Sequence, residues 1–461
     1  MMKNGSQAEL LSYNRNSMEI CASAARISTT KGDAVEIFEK AKENPRNQAL
    51  IQKVFVSGHK SVIEHAVFTL ALKDVSAFTE QFFIECRLAS FTVKSRRYVD
   101  FSNSGYYIPE DLEGGERKQY CQYMDMLFSA YENLLEGGVP KEDARFLLPY
   151  SFHSNFYCTL NARELLQLLS AIRRGRGQGI PELQDLADQI VRQAEEILPG
   201  IFSEPGREEP APAKGVLENS GLADSQSAYK ALEVSFVTPQ EAGSIRLLNA
   251  PSNPLDILNT AYSVNHPGSD SVLDVDALIK SKRPRELEQL TYSFLISHMT
   301  LSGITHMVRH RMQSIIIPSI CDMDHSHFIL PDTIRSDARM AKTYQQAVKQ
   351  AYAMAKEMYQ NPVLRKYGYY YALSGNVMDI MTTVNARELN HFIQLRTCSR
   401  AQWEIQKVSV EILRCLRNSC PALFGLFGPS CYVNGFCPEG KMTCGNMRQV
   451  VEDFRELRPS N

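Results

Sequence analysis

The sequence has no run of eighteen apolar residues, so no part of it is expected to cross a membrane as a helix. Its opening stretch, MMKNGSQAELLSYNRNSMEI, lacks the apolar core of a secretory leader, and a cytoplasmic location is expected. It lacks a charge surplus of either sign. Fifty Lys and Arg stand against 52 Asp and Glu, a formal net charge of −2, so nothing global draws it to nucleic acid or an anionic membrane. It also lacks a Cys-x2-Cys pair. Its eleven cysteines, an odd number scattered over a long chain, fit a reducing compartment better than a disulfide framework. Finally, strands and helices do not alternate as regular βαβ units, which excludes a doubly wound sheet in favour of an α+β fold.

The 461 residues suffice for two to four domains with ordinary cores, since 44% of them are hydrophobic and 22% charged. The dominant internal feature is a repeat. At an offset of 224 (288 against 64), Glu64 falls on Glu288, Ser95 on Ser319, Asn161-Ala162-Arg163-Glu164-Leu165 on Asn385-Ala386-Arg387-Glu388-Leu389, and Gln178 on Gln402. The offset then falls to 222 (404 against 182), carrying Glu182 onto Glu404 and Pro199…Phe202 onto Pro421…Phe424. Chance does not hold one offset over such a span. The chain therefore divides into a first repeat at 1–202, a linker at 203–226 rich in Pro, Glu, Ser and Gly, a second repeat at 227–430, and a Cys- and Gly-containing tail at 431–461.

Both repeats carry the same local signals. EHAVFTLALKDV and EQLTYSFLISHM alternate with β-branched and aromatic residues and predict strands. NARELLQLLSAIRR and NARELNHFIQLRT place apolar residues at helical spacing behind Asn161 and Asn385, which predict N-caps. ELQDLADQIVRQAEEIL and EIQKVSVEILRCLRN predict further amphipathic helices.

GHKSVIEHAVFTLAL, then R-x2-S-x4-S-x-R-Y, DARFLLP and TLNARELLQLL, followed in the second repeat by RHRMQS and VNARELNHFIQLRTCSRAQWEIQ, resemble the flavin-dependent thymidylate synthase family. The resemblance implies two tandem domains of that fold packed as a pseudo-dimer. It also implies FAD as cofactor, with NADPH and methylenetetrahydrofolate as co-substrates, for the methylation of dUMP to dTMP without a protein nucleophile. The family signature, R-H-R-x7-S-x-R-Y, is complete in neither repeat. Arg309, His310 and Arg311 match the family's flavin-contacting triplet, whereas the first repeat has Glu85, Cys86 and Arg87 there. Ser95 and Arg97 match its nucleotide-phosphate clamp, whereas the second repeat has Ser319 and Cys321. Arg145 matches a further nucleotide-binding arginine and faces Tyr369 in the alignment. Arg396 matches the arginine that contacts the pyrimidine and faces Ile172.

His59 matches a histidine at the flavin edge, with Ser61, Glu64 and Glu288 as neighbouring cofactor contacts. Asn161, Arg163, Asn385, Arg387 and His391 complete the expected cofactor set, and His306 takes the place of a family Gln near the pyrimidine. The intact pieces are complementary. Because family active sites are shared between subunits, one composite site would combine Ser95, Arg97 and Arg145 with Arg309, His310, Arg311 and Arg396. A homodimer forming a pseudo-tetramer is the implied assembly, with nucleotide and folate as small-molecule partners.

Both repeats lack the Glu that the family places two residues before the signature Ser; Val93 and Ile317 stand there. This leaves open the same chemistry on another pyrimidine nucleotide, and the worn motifs leave open a non-catalytic flavin- or nucleotide-binding protein. IRRGRGQG at 172–179 reads equally as a phosphate cradle or a mobile basic loop. Cys431, Cys437 and Cys444, with Cys420 nearby, lack the spacing of usual zinc sites, and no metal is expected.

Overall fold

The computed structural model describes residues 5–203, 229–268 and 272–458. The expected linker, apart from Ser203, lies outside them. The chain forms two compact units. One holds residues up to Leu232 together with Ser319–Asp324 and Lys342–Ser374; the other holds Glu233–Pro318, His325–Ala341 and Gly375 onward. The units do not follow the repeat boundaries, because Lys342–Ser374 of the second repeat belongs to the first unit.

In the first unit β1 (Gln7–Tyr13), β2 (Val67–Ser76), β3 (Ser90–Val93) and β4 (His153–Asn161) form an antiparallel sheet in the order β1-β2-β4-β3. In the second unit β5 (Ser235–Val237) pairs in parallel with β9 (His327–Ile329). There β6 (Ser244–Asn249), β7 (Thr291–Thr300), β8 (Gln313–Ile316) and β10 (Val377–Asn385) form the sheet β6-β7-β10-β8, the same order with the counterpart strands. The period-two pattern sets the buried faces: Phe68, Leu70 and Leu72 on β2, and Tyr292, Phe294 and Ile296 on β7.

The duplication extends to irregular backbone. Both β2 and β7 bulge near their ends. Asp74 and His298 at these bulges adopt left-handed conformations, φ 51° and 55°. The N–H of Asp74 donates to Asn155 Oδ1 at 3.2 Å and that of His298 to Asp379 Oδ1 at 3.0 Å, two positions again 224 apart. Each strand then turns into a short helix, Ala77–Ile84 or Leu301–Met307, capped by Ser76 or Thr300.

A buried carboxylate clamps each of these turns. Ser76 donates its N–H to Glu182 at 2.7 Å and its hydroxyl at 2.5 Å; Thr300 does the same to Glu404 at 2.8 and 2.5 Å. Glu182 also accepts from the Tyr370 hydroxyl at 2.7 Å, so Lys342–Ser374 is tied into the first unit's core. The predicted helices form at Ala162–Arg173, Pro181–Glu195, Ala386–Arg396 and Trp403–Ser419. Asn161 and Asn385 cap the first of each pair, accepting at 2.9 Å from Glu164 N and Glu388 N.

Candidate active site

The first unit carries the anion-binding half of the expected residues. The segment after β3 turns on Ser95, whose hydroxyl accepts from the N–H of Arg97 at 3.3 Å. Arg97 donates Nε to Glu142 Oε2 at 2.8 Å and lies 5.5 Å from the ring centre of Tyr98. Arg145, only 3% exposed, donates Nε to the Glu142 carbonyl at 2.9 Å. Glu142 therefore binds both arginines, one through its carboxylate and one through its backbone. The carboxylate occupies a guanidinium fork of the kind that suits a phosphate. Sequence reasoning missed Glu142. Its one available signal was its place three residues before Arg145, since residues three apart on a helix are neighbours.

The counterpart clamp of the second repeat also belongs to the first unit, and it is neutral. The Cys321 N–H donates to Ser319 Oγ at 3.2 Å, repeating the turn. Burial pushes the Cys321 thiol up to about 12. Tyr369 is 1% exposed, with its ring 4.6 Å from Phe78 and 4.4 Å from Tyr370, and burial holds its phenol well above the ordinary range. Neither side chain offers charge to an anion.

The second unit carries the other half. The turn after helix Leu301–Met307, on which His306 is half-buried, presents Arg309 and Arg311 outward and His310 inward. Gln313 holds this turn, donating to the Met307 carbonyl at 2.6 Å and accepting from Thr382 at 2.7 Å. His310 is 5% exposed. Its Nδ1 is 3.1 Å from Glu388 Oε1, and its Nε2 accepts from Arg396 Nε at 3.0 Å. The rings of Phe392 and His391 lie 4.8 and 5.8 Å away, and His391 itself is exposed. Burial lowers the proton affinity of His310, the Glu388 hydrogen bond opposes this, and the Arg396 charge adds to the lowering. The net effect favours the neutral ring. Glu388 is a second residue the sequence did not single out.

At the same positions of the first repeat Arg87 is the one basic residue, beside Glu85 and Cys86. Glu85 pairs with Arg176, whose guanidinium also donates to the Phe82 carbonyl at 3.1 Å and sits 4.4 Å from the Phe82 ring. Cys86 Sγ is 3.9 Å from Glu164 Oε2, and burial pushes its thiol up to about 11. The glycine-rich stretch at 172–179 is pinned by ion pairs rather than loose, with Arg173 held by Asp188 and Arg176 by Glu85. Arg176 is committed to Glu85, and Gly177 packs so that a Cβ there would stand 2.8 Å from Ile172 Cα.

Other predicted residues divide in two. Arg163 pairs with Glu64 at 2.5 Å, and Arg387 with Glu288, so the NAR arginine meets the same upstream carboxylate in each repeat. His59 and Ser61 are exposed beside Glu64. In the tail, Cys431 and Cys437 lie within electrostatic reach of Cys398 and Cys444, while Cys420 is buried at 6% exposure. All eleven cysteines are free thiols. Among the described residues no three His, Cys, Asp or Glu side chains are placed to hold one metal ion. No described helix is long and apolar enough to cross a membrane.

Two arginine-bearing half-sites on a duplicated frame define what to compare. The sequence profile of a family described as "Thymidylate synthase complementing protein" matches residues 9–200 and again 246–422. The chain belongs to the thymidylate synthase complementing protein family. The two matched segments are the two repeats, so membership is in tandem. The chain is 31% identical over 201 residues to the flavin-dependent thymidylate synthase of Geobacter sulfurreducens, covering 43% of this chain and 85% of that one. It is 30% identical over 220 residues to the enzyme of the same name from Nitratidesulfovibrio vulgaris (45% and 89%), and 28% identical over 200 residues to that from Saccharolobus solfataricus (43% and 76%). Among solved structures, the UMP/dUMP methylase PolB from Streptomyces cacaoi bound with 5-Br dUMP covers 43% of this chain and 94% of its own, at 24% identity and a TM-score of 0.36.

Proposed function

We propose that this family member is a flavin-dependent thymidylate synthase. It methylates dUMP to dTMP with methylenetetrahydrofolate and NADPH, at a composite site drawing one half from each repeat. The observation that carries this reading is the complementarity of the losses. The first repeat keeps Ser95, Arg97 and Arg145 but has Glu85 and Cys86; the second keeps Arg309, His310, Arg311 and Arg396 but has Cys321 and Tyr369. A homodimer in which the repeats stand in for four subunits is the assembly this reading requires.

The guanidinium donors that suit the pyrophosphate of FAD come from the second repeat, not from the first. Arg309, Arg311 and Arg387 offer guanidinium groups suited to a pyrophosphate, whereas Glu85 in the first repeat would repel one. A bound flavin supplies hydride chemistry that no side chain here can provide. The protein's own task is positioning and charge compensation. Arg97 and Arg145 hold the nucleotide phosphate after Arg97 exchanges Glu142 for it. Arg396, held at its Nε by His310, contacts the pyrimidine. His59, Ser61, Glu64, Glu288, Asn161, Asn385 and His391 line the cofactor side, and His306 borders the base.

Loss of flavin absorbance in the purified protein, persisting after FAD is added, overturns this reading. Tritium release from labelled dUMP, with UMP in a parallel reaction, tests the substrate. The parallel arm is motivated by Val93, which stands half-buried at the end of β3 in place of the family's Glu.

A further inference from the structure

We propose that Glu388 is a positioning residue, which acts through the ring of His310 to fix the guanidinium of Arg396. The inference rests on the reading that Arg396 contacts the pyrimidine, and it extends that reading to a residue outside the expected site.

The argument is one of donors and acceptors. A guanidinium can only donate, so the 3.0 Å contact from Arg396 Nε requires a lone pair on His310 Nε2. A neutral imidazole with a bare Nε2 carries its proton on Nδ1. That proton points at Glu388 Oε1, 3.1 Å away, and a carboxylate can only accept. Only one tautomer satisfies both neighbours. Glu388 selects it, as a carboxylate behind a histidine does elsewhere. The doubly protonated ring would have no lone pair for Arg396 and would repel it. The charged and titratable groups facing the ring are Glu388, Arg396 and His391, all on helix Ala386–Arg396. Burial favours the neutral form that the geometry requires.

A carboxylate in the first turn of a helix is favourable in itself, and the first repeat has Glu164 at the same place. That contribution is common to both repeats. Only in the second does the carboxylate touch an imidazole that in turn holds an arginine. In the first, Cys86 and Ile172 stand at those positions, and Cys86 Sγ approaches Glu164 Oε2 only at 3.9 Å. The three-residue chain survives where its terminal arginine survives.

The test uses the full chain with FAD added. Nitrogen-15 spectra of histidine-labelled protein should show His310 neutral with its proton on Nδ1. In Glu388→Ala this preference should be lost, and dUMP affinity by calorimetry should fall about tenfold, the scale of one charge-assisted hydrogen bond. Glu388→Gln, whose Oε1 can still accept, should restore most of the affinity. Arg396→Ala should cost about a hundredfold. The double variant Glu388→Ala/Arg396→Ala should bind no worse than Arg396→Ala alone, because a positioning residue has nothing left to position. A wild-type ring protonated on Nε2, or fully additive losses in the double variant, overturns the proposal. Full dUMP affinity in Arg396→Ala overturns instead the reading on which it rests. Should Glu388→Ala fail to fold, the wild-type tautomer and the Glu388→Gln titration still decide.

Discussion

Set side by side, the two repeats show one frame carrying opposite chemistries. In the first, Glu80 is 1% exposed and accepts from Arg96 at 2.6 Å and from the Ser154 hydroxyl, and Arg96 lies 4.8 Å from the Phe152 ring centre. The equivalent positions in the second repeat are Ile304, Ile320 and Met378, all buried. Position by position, hydrophobes stand where the first repeat has a buried ion pair and its hydroxyl partner, while strand order, bulge position and cap stay the same. The frame therefore does not depend on the ion pair. It depends on what both repeats retain: the Glu182 and Glu404 clamps, the Asn161 and Asn385 caps, and the apolar faces of β2 and β7. The repeats also differ at their edges. Helix Ser17–Arg26 of the first packs against Ala34–Lys42 and Asn47–Val56. The corresponding helix of the second, Pro254–Asn265, lines a cavity of about 690 Å³ with Arg285, Glu286 and Gln289.

The comparison can be broken most forcefully at the ion pair. Glu80→Ala strands Arg96 in an apolar setting and should cost about 3–5 kcal/mol of stability, read by chemical denaturation. Transplanting the second repeat's residues, Glu80→Ile/Arg96→Ile/Ser154→Met, should instead be neutral or stabilise by about 1–4 kcal/mol. A triple variant as unstable as the single one would show that the ion pair is required in its own repeat.

Next in size is the division of charge. Arg97→Ala should weaken dUMP binding by about 2–5 kcal/mol while FAD binding is retained, and Arg309→Ala should do the reverse. Equal effects of each on both ligands would erase the functional contrast between the repeats. The caps offer a case where no contrast is expected. Asn161→Ala and Asn385→Ala should each cost about 1 kcal/mol, and a clear inequality would mean that the shared frame is not equally used. The smallest effect concerns Glu142. Its half-exposed pair with Arg97 is worth about 0.2–1 kcal/mol, so Glu142→Gln should tighten dUMP binding by a few-fold at most. Weaker binding would show that Glu142 orients Arg97 rather than competing with the phosphate.

Much of this was legible without coordinates. The offset of 224 foretold that the sheets would match. Alternation located β2 and β7, and Asn161 and Asn385 cap the helices their positions announced. The split of the arginines between repeats was equally plain, because it is a matter of which residue stands where. Less visible was Arg176. Its basic, glycine-rich neighbourhood gave no hint that it is held by Glu85, 91 positions away. Glu142 and Glu388 were hidden for the same reason, since many surface carboxylates precede or follow an arginine and few face one.

The sequence by itself determined the duplication, the strand and helix pattern, the caps and the inventory of charge, because each is written in local periodicity or in residue identity at a fixed offset. Only the tertiary structure decided that Lys342–Ser374 of the second repeat belongs to the first unit. It likewise decided that Glu142 occupies Arg97, and that His310 stands between Glu388 and Arg396 with one proton to place. Those outcomes depend on which distant side chains packing brings within hydrogen-bond reach, and burial then makes the choice of partner binding, since an unsatisfied polar group has no water to turn to.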